Sequence, residues 1–244
     1  MSIINSGVGK NGLIETEAYR ALSSKSRLEI LRLLYKKPMS VEEMAEKLSL
    51  QPITIRHHLQ SLEETDFIEA FEERAGSVGR PKIFYKIVKE PPLVSFPKRR
   101  YMTLTNFLMS TLQSVLGTDR TQRILRKAGL DMGENTIQRL ELEHTVKDWT
   151  SRTFEQLFVK GYLEDAGSEP EIVGVTDKRI IYRLYNCLFY ELAVKMPEVM
   201  CDILHDGFHE GVAHAMGKNV KTERRTCMAK GDAYCEHVWK WPSE

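Results

Sequence analysis

The stretch from Lys37 to Leu62 constrains the fold most, because it encodes two short helices joined by a tight connection. Pro38 ends the preceding helical pattern, and Ser40 with Glu43 forms a Ser-x-x-Glu capping box that opens the first helix. Pro52 suits the first turn of the second helix. The apolar residues of that second helix recur at the spacing of a buried face and are Ile55, Leu59 and Leu62.

The opposite face of the second helix is polar and cationic. The major groove of B-DNA admits one α-helix, and polar or basic side chains near its N-terminus reach base edges and phosphates. We therefore expect a recognition helix, with a small helical bundle bearing a solvated face as the alternative. The expected DNA-contacting residues are Gln51, Thr54, Arg56, His57, His58 and Gln60.

Two strands are expected next, at about 67–73 and 82–88, around a basic loop that contains glycine. Three helices followed by a hairpin are typical of a winged helix. Arg80 and Lys82 would then contact phosphates or the minor groove. The segment "GRPKIFYK" resembles the wing of ArsR/DeoR-like regulators, which implies a DNA-binding domain over about 15–90.

A semi-rigid linker is expected in "KEPPLVSFPKRR" (89–100), because its three prolines disfavour both helix and strand. The helix that follows, 101–116, carries an apolar stripe that suits either an internal core or a dimer interface. Since helix-turn-helix proteins usually bind two half-sites, we expect a homodimer. The stripe comprises Leu104, Leu108, Leu112 and Val115, widened by Tyr101, Phe107, Met109 and Leu116.

The middle of the chain, 118–165, is expected to be helical in pieces, with interruptions near Gly129 and Gly133. It carries no nucleophile elbow, phosphate-binding loop or dinucleotide-binding fingerprint, so the sequence does not predict an enzyme. No apolar run approaches the ~20 residues of a membrane span, and the N-terminus does not resemble a secretory signal. We therefore expect a cytoplasmic protein with reduced thiols and no membrane partner.

All four cysteines lie in the last quarter of the chain, spaced Cys-x13-Cys-x25-Cys-x7-Cys. Cys187 should end a strand, and Cys201 should lie early in a helix. If 230–232 forms a three-residue hairpin loop, Cys227 and Cys235 face each other across two strands. Clustered cysteines in a reducing compartment favour a metal or cluster over structural disulfides, with burial as small apolar residues as the alternative.

The order of these features resembles the SufR-type regulators. It comprises a winged helix with a Gly-Arg-Pro wing, then "NC", a proline-started helix bearing cysteine, and "RRTCMAKGDAYC". The resemblance implies a repressor that senses a [4Fe–4S] cluster, with Cys187, Cys201 and Cys235 as ligands and Cys227 as the fourth. The same ending also resembles vinyl-reductase-like sensor domains and a related hydrolase-like family. That second resemblance implies a small organic ligand, with the cysteines structural or bound to zinc.

Two other groupings stay open. Cys201, His205 and His209 recur at i, i+4 and i+8, so they could bind zinc or haem together with Cys227 or Cys235. In a thiol enzyme, one of those last two cysteines would be the nucleophile, with His205 or His237 as the base.

The sequence thus predicts an α+β regulator, most simply a repressor, that binds double-stranded operator DNA as a homodimer. The expected domains are an N-terminal arm (1–14), a winged helix-turn-helix domain (15–90), a linker with a dimerisation helix (91–117) and a C-terminal α+β sensor domain (118–244).

Overall fold

The computed structural model describes residues 18–73, 81–88, 99–217 and 219–242. The chain divides into two compact units, Met1–Arg99 and Arg100–Glu244. The expected α+β class is confirmed, because helices and an antiparallel sheet occur in each unit. Within the described ranges, no helix is both long enough and apolar enough to cross a membrane.

The N-terminal unit is a winged helix. Residues 18–22 are helical, and the sheet order is β1-β3-β2 with antiparallel pairing throughout. The two expected wing strands are confirmed as β2 and β3. The elements are α1 (Lys25–Lys36), β1 (Met39–Ser40), α2 (Val41–Leu48), α3 (Pro52–Glu63), β2 (Ile68–Glu73) and β3 (Lys82–Ile87).

The predicted capping box starts α2. The Ser40 backbone N–H donates to Glu43 Oε2 at 2.8 Å, and the Glu43 N–H donates to Ser40 Oγ at 3.4 Å. Pro52 is the first residue of α3, as its fixed φ favours. The buried face of α3 consists of Ile55, Leu59 and Leu62. Local caps therefore set where these helices begin, and the apolar face anchors α3 in the unit.

The C-terminal unit packs helices and two π-helical segments with a four-stranded antiparallel sheet of order β4-β5-β7-β6. The helices are α4 (Tyr101–Leu116), α5 (Thr118–His144), α6 (Ser151–Phe154), π1 (Glu155–Leu163), α7 (Tyr190–Ala193), π2 (Glu198–His205) and α8 (Asp206–Ala215), with a 3₁₀ turn at Met228–Lys230. The strands are β4 (Pro170–Thr176), β5 (Arg179–Leu184), β6 (Lys221–Arg224) and β7 (Cys235–Lys240).

The expected breaks near Gly129 and Gly133 are wrong, because α5 runs without interruption from Thr118 to His144. These glycines instead let α5 approach π2 and α8 closely. A Cβ on Gly133 would lie 2.1 Å from the Phe208 carbonyl oxygen, and one on Gly211 would lie 2.0 Å from that of Leu130. Backbone contact across this interface fixes the position of the π2–α8 helix.

Aromatic packing links the sheet to π1. Phe154 stacks on Phe158 with ring centroids 4.6 Å apart and packs against Trp239 at 4.7 Å. The Trp239 Nε1–H donates to the Tyr182 hydroxyl at 3.1 Å, and both side chains are fully buried. This core holds β5 and β7 in register beneath the helices.

The expected three-residue loop at 230–232 is also wrong. The β6–β7 ladder ends at the pair Arg224–His237, and residues 225–234 form a longer loop containing the 3₁₀ turn. The Cys227 N–H donates to Asp232 Oδ2 at 2.7 Å, which closes the loop. Cys227 therefore lies in this loop and does not face Cys235 across a strand pair.

Candidate nucleic-acid interface and cysteine cavity

The outward face of α3 is polar and begins at its N-terminus. Gln51 is the N-cap residue, and Gln51, Arg56, His57 and Gln60 are exposed, whereas Thr54 is half-buried. Arg56 lies 3.5 Å from Glu42 in an exposed ion pair of the kind that contributes little to stability. Its guanidinium can exchange that partner for a phosphate or a base edge at low cost.

His58 lies closer to the body of the unit than the helical pattern indicated. It is half-buried, and its Nδ1 is inaccessible and has no hydrogen-bond partner among the described residues. Burial and the nearby Arg27 lower the His58 pKa. The imidazole is therefore neutral at physiological pH, which reduces its attraction to phosphate.

The wing is only partly described. Arg80 falls outside the described residues, whereas Lys82 opens β3 with a half-exposed side chain. The Lys82 Nζ lies 4.0 Å from Glu43 Oε1 and 5.2 Å from the Phe84 ring centroid. Lys82 thus lies close to the start of α2, with its ammonium half-exposed to solvent.

All four cysteines line one cavity of about 140 Å³ in the C-terminal unit. Cys187 follows β5, Cys201 lies on π2, Cys227 lies in the β6–β7 loop and Cys235 begins β7. Cys187 is half-buried and the other three are buried, and all four are free thiols. Residues from three separate parts of the chain thus place sulfur in one space.

The thiols lie close to one another and contact the loop. The Met228 N–H donates to Cys235 Sγ at 3.3 Å, and the Cys201 and Cys227 thiols are neighbours. Burial raises the pKa of Cys201 and of Cys235 to about 12 and also raises that of Cys187. These protonated, buried thiols are unlike the low-pKa thiolates that act as nucleophiles.

The distances between the sulfurs indicate which kind of metal centre the four cysteines suit. Among the described residues, only three histidines place three ligand atoms within 4.8 Å of one another, so no three cysteine sulfurs do. Zn–S bonds of ~2.3 Å in a tetrahedron need sulfurs about 3.8 Å apart. A [4Fe–4S] cluster takes each of its four thiolates on a different iron, so it suits sulfurs that are further apart.

Arg224 is the one lysine or arginine among the described residues that line the cavity. Its side chain is 9% exposed and donates to Asp202 at 2.7 Å and to Asp206 at 3.2 Å. Lys230 reaches the same Asp202 at 2.8 Å. These pairs hold the 225–234 loop against the π2–α8 helix and place a guanidinium beside the thiols.

Several residues of the candidate sites were not predicted from the sequence. Ile53, on the first turn of α3, is 71% exposed, which suits contact with a thymine methyl. The signal for Ile53 was its position outside the buried stripe. Arg224 and the metal-binding potential of His237 had no sequence signal, because only the fold brings them next to π2 and α8.

Residues 22–69 match a helix-turn-helix domain family. No curated protein sequence matches the chain significantly. Among solved structures, HlyU from Vibrio cholerae is 23% identical over 34% of this chain and 83% of its own, with a TM-score of 0.29. The homodimeric winged helix-turn-helix domain of Mb0332 from Mycobacterium bovis, a possible ArsR-family regulator, is 22% identical over 47% and 94%, with a TM-score of 0.30.

A trafficking protein particle complex subunit 3 from Naegleria fowleri, covalently bound to palmitic acid, is 14% identical over 58% of this chain and 92% of its own, with a TM-score of 0.43. Likeness at this level carries no functional information. The family match and the observed helices and hairpin agree over the N-terminal unit. That unit is a winged helix-turn-helix domain.

Proposed function

We propose that the protein is a homodimeric DNA-binding repressor whose C-terminal unit senses an iron–sulfur cluster, most simply [4Fe–4S]. The observation that carries this proposal is that the chain's only four cysteines line a single cavity. Cys187, Cys201, Cys227 and Cys235 would be the ligands. The fold brings them together from distant positions in the chain. Four cysteines buried only as small apolar side chains would not need to share one cavity.

The donor set fits such a cluster. Four thiols supply the usual ligands, and no three sulfurs of the described residues lie within 4.8 Å of one another, whereas one zinc ion would need all four about 3.8 Å apart. Arg224 would offset part of the negative charge of four thiolates. When bound, the cluster would link the four cysteines through Fe–S bonds. These bonds would form or break with the iron supply and the redox state.

Ligation would fix four segments relative to one another: the chain just after β5, the helix π2, the 225–234 loop and the start of β7. Helix π2 continues into α8, which contacts α5 backbone to backbone at Gly133 and Gly211. Helix α5 follows α4 after a single residue, and the Thr121 hydroxyl donates to the Leu112 carbonyl at 3.3 Å. Contacting helices therefore connect the cavity to α4. Cluster binding would alter operator affinity only if the cluster binds more tightly to one arrangement of these helices than to another.

Helix α4 is the proposed dimer interface. Its predicted stripe is exposed except for the buried Met109 and the half-buried Leu116, and Phe107 and Val115 are 64% and 74% exposed. Soluble monomers rarely leave so contiguous an apolar surface open to water. A second copy of α4 is the proposed cover, because a helix-turn-helix domain needs a partner to read two half-sites.

Light scattering tests the dimer. Phe107→Glu should convert a dimer to a monomer, because it puts a charge on the apolar surface that the second copy of α4 would cover. Ser110→Glu, at an exposed polar residue of the same helix outside the apolar stripe, is the matched control and should stay dimeric. A Phe107→Glu protein that remains dimeric would place the interface elsewhere.

Anaerobic purification tests the cluster. We expect brown protein with absorbance near ~400 nm, containing iron and acid-labile sulfide in equal amounts. Cys201→Ser should lose both, whereas Ala229→Ser, which adds a hydroxyl to the same cavity without removing a thiol, should keep them. Colourless protein that resists reconstitution with iron and sulfide would refute the cluster.

A small apolar ligand is the second candidate, because the rest of the cavity lining is largely apolar. The lining includes Met132, Leu163, Leu188, Phe189 and Phe208. In that case the protein would be free of iron, and a hydrophobic fluorescent probe would bind at the cavity. Leu163→Glu should abolish probe binding, whereas Cys201→Ser should not.

A further inference from the structure

Three histidines of the C-terminal unit converge at a point beside the cysteine cavity. His205 ends π2, His209 follows one turn later on α8, and His237 lies on β7. One ring nitrogen of each lies within 4.8 Å of the other two. The ring centroids are 4.3 Å apart for His205–His209 and 4.5 Å apart for His209–His237. Helix spacing places the first two, and β7 supplies the third from the opposite side.

Burial without hydrogen bonds marks this cluster. His237 is fully buried and His209 is 3% exposed. Both ring nitrogens of His237 are inaccessible and have no hydrogen-bond partner among the described residues. Buried polar atoms in native proteins nearly always have a partner, and an exception calls for an explanation such as an ion. Burial also lowers the pKa of His205 to about 4 and those of the other two well below the usual value. The imidazoles are therefore neutral, which is the form that binds metal.

Aromatic packing accounts for where the rings lie but not for their nitrogens. His237 stacks on Tyr182 at 5.4 Å, and the His209 ring meets Trp239 edge-on at 5.4 Å. Neither contact gives a hydrogen bond to the imidazole nitrogens. Packing alone would be satisfied equally well by phenylalanine at position 237.

The surrounding charges permit a cation. Arg224 is the nearby positive group, and it is paired with Asp202 and Asp206. A second cavity of about 220 Å³ is lined by His209 together with three carboxylates, a threonine and an arginine. Its lining residues are Asp206, His209, Glu210, Thr222, Glu223 and Arg224. The Thr222 hydroxyl is also buried without a partner in the described part of the chain. This polar space offers an entry path and room for a water ligand.

We propose that His205, His209 and His237 form a binding site for one divalent transition-metal ion, with zinc as the expected occupant. The site is separate from the cysteine ligands and goes beyond the proposed sensing function. Three imidazoles with an open fourth position are a known zinc ligand set, and nitrogen ligands of this kind suit Zn²⁺ better than Mg²⁺ or Ca²⁺. The ion would join π2–α8 to β7 and would give one of the two unpaired His237 nitrogens a partner.

The test is X-ray absorption at the zinc edge on the full chain, stripped with a chelator and reloaded with two equivalents of zinc. The expected spectrum contains imidazole nitrogen scattering in the wild type. A spectrum with sulfur ligands alone would overturn the proposal without any variant. Iron and sulfide content do not enter this measurement, so it can fail or succeed independently of the cluster.

Variants give a second readout. His237→Phe should keep the packing against Tyr182 and weaken zinc binding at the nitrogen site by more than about 100-fold, beyond the loss typical of an outer-shell partner. His214→Ala, on the same helix but with a side chain 79% exposed, is the matched control and should bind as the wild type does. Equal nitrogen-site affinity in His237→Phe and wild type would overturn the proposal.

Discussion

Gly133→Ala tests the backbone contact between α5 and α8 on which both C-terminal sites depend. The new Cβ would lie 2.1 Å from the Phe208 carbonyl oxygen and 2.7 Å from the Val212 nitrogen. Both atoms belong to the backbone, so no side-chain rotation can relieve the overlap. The two helices must separate by about 1 Å to reach even 3.0 Å, a distance that real Cβ contacts rarely fall below.

The magnitude follows from two opposing effects. Overpacking a tight interior costs about 1–3 kcal/mol, and a rigid backbone obstacle puts this position near the upper limit. Alanine is favoured over glycine in a helix interior by about 1 kcal/mol. The free energy of unfolding should therefore fall by about 2 kcal/mol, which corresponds to a melting temperature lower by about 4–8 °C for a unit of this size.

Tryptophan fluorescence isolates the relevant transition, because Trp149, Trp239 and Trp241 all lie in the C-terminal unit and are buried. Gly161→Ala is the matched control. It is also helical, but its Cβ would meet its nearest neighbour at an ordinary 3.4 Å. It should leave the melting temperature unchanged or raise it. Equal shifts for the two variants, or a more stable Gly133→Ala protein, would refute the close-packing explanation.

Three further outcomes are expected in the N-terminal unit. Ser40→Ala should lower the free energy of unfolding by about 1 kcal/mol in urea denaturation, since the α2 cap is lost; unchanged stability would contradict it. The Ser40 backbone N–H, opposed in part by burial, lowers the Glu43 pKa below its usual 4.5. Its contribution is thus present above that pH and lost as the pH falls, so Glu43→Gln should destabilise more at neutral pH than at pH about 3. A pH-independent difference would count against this. Arg56→Ala should weaken binding to a selected operator in fluorescence anisotropy and reduce the slope of log affinity against log salt by about 1. Lys127→Ala in the C-terminal unit should change neither quantity, and an unchanged Arg56→Ala slope would remove α3 from the interface.

Local chemistry explains which parts of the fold could be predicted. The capping box at Ser40, the proline at the start of α3 and the apolar spacing of Ile55, Leu59 and Leu62 act within a few residues. They fix helix boundaries whatever the rest of the chain does. The strand-like segments on both sides of a glycine-bearing loop likewise predicted β2 and β3.

Local patterns mispredict the structure where contacts with residues distant in the chain determine it. Gly129 and Gly133 have low helix propensity, but burial against α8 outweighs about 1 kcal/mol per glycine. The Lys230-Gly231-Asp232 segment has the composition of a tight turn. The Asp232 carboxylate instead accepts the Cys227 N–H, and the loop extends over 225–234.

The candidate sites divide in the same way. The sequence by itself determined the winged helix-turn-helix unit, because a helix cap and a polar helix face are properties of neighbouring residues. It also supplied four cysteines, but not their arrangement. Only the tertiary structure placed the four thiols at one cavity and brought His237 to His205 and His209. Those residues lie on different elements, and contacts between elements depend on packing across the whole unit rather than on spacing along the chain.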